Sequence, residues 1–476
     1  LGLTSGFEKT QKNLMEHSFN QLLQQFKLCN REDASFNWEV DRFRTHTTEL
    51  YKKIPKKSIL LLNSQSSYQF LAGFLAGIGK NCQIILANSQ WKTQEWKQVL
   101  QQFQPNVVIT ESNLEILSSS TLFSLKTEVE GTIMIPTGGS SGNIRFVKHN
   151  WETLSASVTG FCHYFEQETV NCFCLLPLYH VSGLMQFMRT FLTEGSLLLY
   201  SYKTLETAWR NQDLQLIQKL ETFPQEKYFI SLVPTQLQRL LNFGAGNWLS
   251  QFQTILLGGA RSWDSLLETA RAYNLPLALT YGMTETASQV VTLQPNDFLA
   301  GNNSVGQVLP HAKVWISGEN KEILATGEVG KITIASSSLG LGYYPESEWK
   351  GGTLVTDDLG YFDQAGYLYV TGRNSRKIIS GGENVFPDEV EAAILSTGLV
   401  SDVYVLGLDD QNWGELVSAI YVPKAETVTI PEITETLKCY LSRYKIPKRW
   451  IAVASIPRNE QGKVSKATFS SQFFSD

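Results

Sequence analysis

Basic charge is not in excess here. The 476-residue chain carries 40 Lys and Arg against 45 Asp and Glu, a formal net charge of −5. With a sequence pI near 5.8, that balance speaks against a general nucleic-acid binder. It leaves room for small anionic ligands, which a local cluster of cations and backbone N–H groups can hold on an acidic protein. No C-x-x-C pair occurs among the six cysteines, Cys29, Cys82, Cys162, Cys172, Cys174 and Cys439. They are expected to be buried free thiols in a reducing compartment, with Cys172 and Cys174 on one strand face. Long apolar runs are missing too. The patch FLAGFLAGIG, Phe70 to Gly79, is too short to span a bilayer. The first residues, LGLTSGFEKTQKNL, contain no apolar signal core. A soluble cytoplasmic protein without stable membrane insertion is the expectation. Internal repeats and low-complexity segments are absent as well.

What is present points to a large packed protein. Hydrophobic residues make up 42% and charged residues 18%, and the length suggests about two to four domains. Residues 58–110 read as strand, helix, strand, helix, strand: SILLLN, SSYQFLAGFLAGIG, CQIILAN, QWKTQEWKQVLQQFQ and NVVIT. That alternation predicts a parallel sheet with helices on its faces. FCLLPLYH, YFISLVPT, QTILLGG and LALTYGMTET repeat the theme, each an apolar stretch running into a loop rich in Pro, Gly, Thr or His. Ligands of open parallel sheets collect at the carboxyl ends of strands. Beyond residue 304, KVWISG, KITIAS and GYLYVTG read as short antiparallel strands. In the last hundred or so residues, DEVEAAILS and PEITETLKCYLSRY are predicted helical, and DVYVLGL, LVSAIYV and WIAVASI are predicted strands. The expected fold is therefore α/β: a large N-terminal domain with parallel sheets flanked by helices and a β-rich subdomain, then a small α+β C-terminal domain.

Four polar stretches carry chemistry. TGGSSG, Thr137 to Gly142, combines three glycines with three hydroxyl residues. It can turn backbone N–H groups inward as a phosphate cradle or serve as a flexible loop. The familiar phosphate loop G-x-x-x-x-G-K-S/T does not fit, because Asn143 and Ile144 follow Gly142. TYGMTET, Thr280 to Thr286, offers a ring for stacking in Tyr281, hydroxyls in Thr280 and Thr284, and one carboxylate, Glu285. A carboxylate beside phosphates calls for a cation between them, and Mg2+ is the natural one; otherwise the stretch is a solvated turn. In TDDLGYFDQAGYLYVTGR, Asp358 can accept from two ribose hydroxyls and Arg373 can pair with it, or both are surface charges. In IPRNEQGKVSK, Lys463 follows Gly462 in a polar loop.

In their order and spacing these four stretches, with SGGENVFPDEVE between the last two, resemble the adenylate-forming superfamily of acyl-CoA ligases, luciferases and peptide-synthetase adenylation domains. The resemblance covers nearly the whole chain. It implies an adenylation domain at residues 1–372, a hinge at 373–377 around Ser375, and a mobile lid at 378–476. It implies that a carboxylate attacks the α-phosphorus of ATP, that pyrophosphate leaves, and that coenzyme A then displaces AMP. Carried onto this sequence, Thr137, Gly138, Gly139, Ser140, Ser141 and Gly142 grip phosphates. Gly259, Ala260, Arg261, Tyr281, Gly282 and Thr284 hold the nucleotide, Asp358 and Arg373 its ribose. Lys463, Glu285 and His180 form the catalytic set, with Glu285 the Mg2+ ligand. Gly381 and Gly382 are placed near coenzyme A, and the basic run Arg443 to Trp450 near its phosphates. Two departures stand out: Ile144 and Arg145 replace the usual Pro-Lys, and Ser375 replaces the usual Asp or Lys at the hinge. With Lys463 so near the end, no carrier domain is expected to follow.

LPLYHVSGLMQFMRTF resembles the o-succinylbenzoate–CoA ligases of menaquinone and phylloquinone synthesis. In that family an Arg such as Arg189 is expected to meet a substrate carboxylate, with His180 at the strand end and Gly258, Gly259 and Thr280 lining the ring pocket. The substrate has two carboxylates and only one is activated, so a buried Arg would hold the other. The alternatives are another aryl- or medium-chain acyl-CoA ligase, or a non-catalytic nucleotide-binding module.

Overall fold

The computed structural model describes residues 27–30, 40–111, 113–117, 131–138, 144–345, 349, 352–380, 383–410, 413–458 and 464. Gly139 to Gly142, Gly381, Gly382 and Lys463 of the expected site lie outside the described residues.

Two large sheets form the first part of the chain. The first runs Gly342–Tyr344, Ile144–His149, Ile133–Gly138, Gln83–Leu86, Ile59–Leu62, Val107–Ile109, Leu114–Ile116. Its middle pairings are parallel and its outer ones antiparallel. The second runs Lys27–Asn30, Ser196–Leu199, Asn171–Cys174, Tyr228–Leu232, Thr254–Leu257, Leu277–Met283, Ser288–Thr292, Gln307–Val308. It is parallel until the last two strands, which run antiparallel.

Side chains alternate across each strand, so each sheet must be covered on both faces. Leu60 and Leu62, Ile84 and Leu86, and Cys172 and Cys174 enter one shared core. Leu61 and Ile85 enter a core on the far side of the first sheet, and Phe173 enters one on the far side of the second. The shared core contains residues of helices Ser67–Gly79, Trp151–Phe165 and Val181–Leu192. Helices therefore lie between the sheets and outside both. Truncating an inner leucine such as Leu62 to Ala would cost about 2–5 kcal/mol. Cys82, Cys162, Cys172 and Cys174 are buried free thiols and Cys439 is exposed.

A third, antiparallel sheet follows in the order Ala312–Ser317, Gly330–Ser336, Leu354–Phe362, Leu368–Arg373. The fourth holds Glu383–Val385, Ile378–Ser380, Gly414–Pro423 and Val400–Asp410, with Arg449–Ala452 pairing parallel to Gly414–Pro423. This sheet and helices Pro387–Ser396 and Ile430–Leu437 enclose a core of their own. Ala392 and Leu395 of the first of these helices also pack against the outer core of the second sheet. The helix predicted over PEITETLKCYLSRY ends at Leu437, because the amides of Lys438, Cys439 and Tyr440 bond three residues back in tighter turns. Among the described residues no helix is long and apolar enough to cross a membrane.

Candidate active site

The hairpin Leu277–Met283 to Ser288–Thr292 is the spine of the site. The sequence predicts a strand, LPLALTY, that ends at Tyr281, but the strand runs on to Met283 because the chain returns beside it, with a register shift between Tyr281 and Gly282. Gly282 is fixed by that return: a Cβ there would lie 2.1 Å from the Ser288 carbonyl oxygen. Thr284–Thr286 is a single 3-10 turn, and Ala287 at φ 50° closes it. The Thr286 hydroxyl accepts from the Met283 amide (3.1 Å) and donates to the Ser288 carbonyl (2.6 Å).

Glu285 is thereby held at the tip, half-buried. Its Oε1 accepts from the Tyr343 hydroxyl at 2.5 Å, and its carbonyl accepts from the Gly340 amide at 2.8 Å. Among the described residues it has no ion-pair partner, so its carboxylate retains capacity for a cation. The Arg145 guanidinium lies 3.8 Å above the Tyr343 ring. Thr137 pairs with Arg145, and Gly138 with Ile144, across the hairpin that carries the glycine-rich stretch. His149, on the same hairpin, bridges to the spine. Its Nε2 bonds the Thr284 carbonyl (2.8 Å) and its Nδ1 the Thr153 hydroxyl (2.9 Å). Burial lowers its pKa to about 4, so the ring is neutral and one nitrogen donates while the other accepts. Thr137, Gly138 and Glu285 thus belong to one framework.

At the next point along the spine, the Tyr281 hydroxyl donates to Asp358 Oδ2 (2.9 Å) and Arg373 Nε donates to Asp358 Oδ1 (3.0 Å). Asp358 and Arg373 face each other in register. Burial and then the Asp358 charge push the Tyr281 phenol well above its ordinary pKa. Arg261 reaches the same strand, donating to the Thr371 carbonyl at 3.4 Å. Gly258 abuts Thr280: a Cβ on Gly258 would lie 2.3 Å from the Thr280 hydroxyl, so only glycine allows this approach. Gly259 takes φ +81°, and Ala260 and Arg261 are exposed.

His180 is the N-cap of helix Val181–Leu192, and Arg189 lies in its last turn. The two are therefore separated along the axis by about 13 Å and are not neighbours. Arg189 is 1% exposed. One Nη donates to Ser288 Oγ (3.2 Å) and Gln289 Oε1 (3.1 Å), and the guanidinium lies 4.2 Å from the Phe161 ring centroid. Burial lowers its pKa only to about 10, so it stays charged at neutral pH. Nearby Cys162 and Cys172 are pushed by burial to about 12 and bring no negative charge. Among the described residues no carboxylate pairs with Arg189, and its Nε has no partner.

Ser375 bonds Asp357 through both its amide and its hydroxyl. In the basic run, Lys445 pairs with Glu389 at 2.7 Å and Lys448 lies over Trp413 at 3.9 Å. Lys448 is exposed, as are Arg443 and Arg449 of the same run. Sequence reasoning missed Tyr343, His149 and Gln289. The contacts of Tyr343 with Glu285, His149 with Thr284 and Gln289 with Arg189 join residues remote in sequence.

Comparison with known proteins adds the family. The description "AMP-binding enzyme" matches residues 50–344, and "AMP-binding enzyme C-terminal domain" matches residues 389–463. A 2-succinylbenzoate–CoA ligase of Geobacillus sp. (strain WCH70) is 32% identical over 373 residues, covering 74% of this chain and 73% of that protein. The enzyme of the same name from Enterococcus faecalis (strain ATCC 700802 / V583) is 28% identical, covering 92% and 94%. The o-succinylbenzoate CoA synthetase of Bacillus subtilis, solved with its acyl-adenylate intermediate, shares the fold at TM-score 0.80 and 24% identity, over 95% of this chain and 98% of that one. The chain thus belongs to the AMP-binding enzyme family, alongside the 2-succinylbenzoate–CoA ligases.

Proposed function

We propose that this chain is an acid–thiol ligase that activates o-succinylbenzoate with ATP, releasing pyrophosphate, and transfers the acyl group to coenzyme A, releasing AMP. The step belongs to menaquinone or phylloquinone biosynthesis, and a cytoplasmic location suits its soluble substrates. The observation that carries the choice of acid is Arg189: a buried guanidinium with no carboxylate partner among the described residues. An uncompensated buried charge costs several kcal/mol. A substrate carboxylate arriving there removes that cost, and an acid with a single carboxylate cannot do so while also being activated. His180 and Arg189 at opposite ends of one helix suit an acid that is recognised at one end and reacts at the other.

The remaining roles follow from the same reading. Asp358 and Arg373 bind ribose, Tyr281 and Gly259 to Arg261 hold adenine, and Gly282 and Thr284 shape the phosphate side. Gly258, Gly259 and Thr280 flank the aromatic ring. Thr137 to Gly142 receive phosphates. Glu285, positioned by Tyr343, would hold Mg2+, whose charge offsets the approach of a carboxylate to a polyanion. Lys463 serves adenylation. Residues 1–372, the hinge 373–377 with Ser375, and the lid 378–476 with Gly381 and Gly382 at coenzyme A complete the scheme. The lysine must withdraw before a thiol can enter, which a hinged domain permits.

The test is thioester formation from ATP, Mg2+, coenzyme A and a panel of carboxylic acids. o-Succinylbenzoate is expected to give the highest kcat/KM. A monocarboxylic aryl or medium-chain acid that outperforms it would assign the chain to another acyl-CoA ligase. Absence of pyrophosphate release with every acid would make it a nucleotide-binding module.

A further inference from the structure

A second group, half-buried and close enough to Arg189 to feel its charge, has no role in this scheme. His311 lies in the connection between Gln307–Val308 and Ala312–Ser317, and among the described residues neither of its ring nitrogens has a hydrogen-bond partner. Its backbone is fixed: its carbonyl accepts from the Ser336 hydroxyl (3.0 Å) and the Ser337 amide (3.2 Å). The ring rests on Gly160 of helix Trp151–Phe165, where an added Cβ would lie 1.8 Å from Nδ1. Only glycine leaves room for the imidazole. The next residue, Phe161, carries the Arg189 guanidinium on its ring. Burial, and then the charge of Arg189, lower the His311 pKa to about 4, so the ring is neutral. A neutral imidazole holds one N–H to donate and one lone pair to accept. Leaving both buried without partners is costly. Other orphaned buried atoms lie on the same two helices: Trp151 Nε1 and Ser155 Oγ on one, Gln186 Oε1 and Arg189 Nε on the other. Trp151 and Ser155 are four residues apart, and Gln186 and Arg189 three, so each pair shares a helix face.

From this geometry we propose that His311 is a specificity-determining residue of the acyl pocket, donating one ring N–H to the substrate carboxylate that Arg189 neutralises. The inference rests on the reading that Arg189 receives that carboxylate. Arg189 supplies charge, and His311 supplies a directional second donor that a monocarboxylic acid cannot use. Gly160 is its positioning residue.

The test compares wild type with His311→Ala, His311→Asn and Gly160→Ala. Each is assayed with o-succinylbenzoate and with 4-oxo-4-phenylbutanoate, which lacks the ring carboxylate, alongside thermal denaturation. His311→Ala is expected to raise KM for o-succinylbenzoate roughly tenfold to a hundredfold, as for loss of a bond to a charged group. Its kcat, and both constants for the monocarboxylic acid, should stay near wild type. His311→Asn, which keeps a donor, should recover part of the loss, and Gly160→Ala should reproduce the selective defect with the imidazole still present. Equal changes for both acids, or a stability change with no change in selectivity, would overturn the inference. Should His311→Ala not fold, His311→Asn and Gly160→Ala decide by the same criterion. Arg189→Ala separates the two levels. If it leaves the preference for the dicarboxylic acid intact, the underlying reading is wrong. If it abolishes the preference while the His311 variants do not, only the role of His311 is.

Discussion

On the spine hairpin, Tyr281 bonds Asp358, which Arg373 also bonds. Close by, at Ser288 and Gln289, Arg189 keeps a buried nitrogen without a partner among the described residues, as does His311. Two histidines repeat the contrast. His149 uses both ring nitrogens, on Thr153 and Thr284, whereas His311 uses neither among the described residues. On the proposed assignment, the Asp358 cluster is a nucleotide site assembled before any ligand arrives, so binding there would cost little reorganisation. Arg189 and His311 would then be polar groups whose satisfaction depends on the substrate, which makes a site selective: an acid lacking the matching group leaves them unpaired. Partnered groups should therefore hold the fold together, and orphaned ones should hold the substrate.

Four experiments probe that division. Asp358→Ala should have the largest effect. Losing the acceptor for both ribose hydroxyls is expected to lower kcat/KM for ATP by roughly a thousandfold. It should also destabilise the fold by about 1–3 kcal/mol, since the buried Tyr281 hydroxyl loses its partner. Steady-state kinetics and urea denaturation check the two parts.

Acid titration comes next. The folded-state pKa of both His149 and His311 lies near 4, below the ordinary 6.5. The unfolded chain thus binds more protons between those values, and stability must fall as pH drops from about 6.5 to 4. Each ring contributes on the order of 3 kcal/mol to that fall. His149→Gln should flatten the slope of stability against pH in this window. An unchanged slope would mean that the ring protonates freely in the folded state.

Arg189→Leu should behave in the opposite sense to Asp358→Ala. Removing an uncompensated buried charge is expected to leave stability unchanged or raise it by about 1–2 kcal/mol, despite the loss of two hydrogen bonds. A large destabilisation would place Arg189 among the groups that hold the fold. The smallest effect is expected of Tyr343→Phe, which frees one oxygen of Glu285. The Mg2+ concentration for half-maximal activity should rise several-fold. Calorimetric affinity for ATP should fall with Mg2+ present but not without it.

Much of this was legible beforehand. Apolar runs such as SILLLN and QTILLGG mark parallel strands because strands buried on both faces cannot alternate with polar residues. The loops after them pointed to the site, since parallel strands end on a common edge. Arg189 was singled out by the resemblance of LPLYHVSGLMQFMRTF to the o-succinylbenzoate–CoA ligases, while its burial was not legible in the sequence. Sequence could not show which remote groups meet. Tyr343 reaches Glu285 across 58 residues and His149 reaches Thr284 across 135. Both contacts depend on how two separately formed sheets sit against each other, which no local periodicity encodes. The continuation of Leu277–Met283 through Gly282 was hidden for the same reason: its partner strand, not its own composition, keeps it extended. Nothing in the sequence marks Gly160, whose contact with His311 joins residues remote in the chain.

The most direct test of the account combines one substitution with one change of substrate. kcat/KM is measured for wild type and Arg189→Ala, each with o-succinylbenzoate and with 4-oxo-4-phenylbutanoate. The account predicts that removing the guanidinium and removing the ring carboxylate are not additive, with a coupling of about 2 kcal/mol or more. Independent effects, with no coupling between the two deletions, would contradict it.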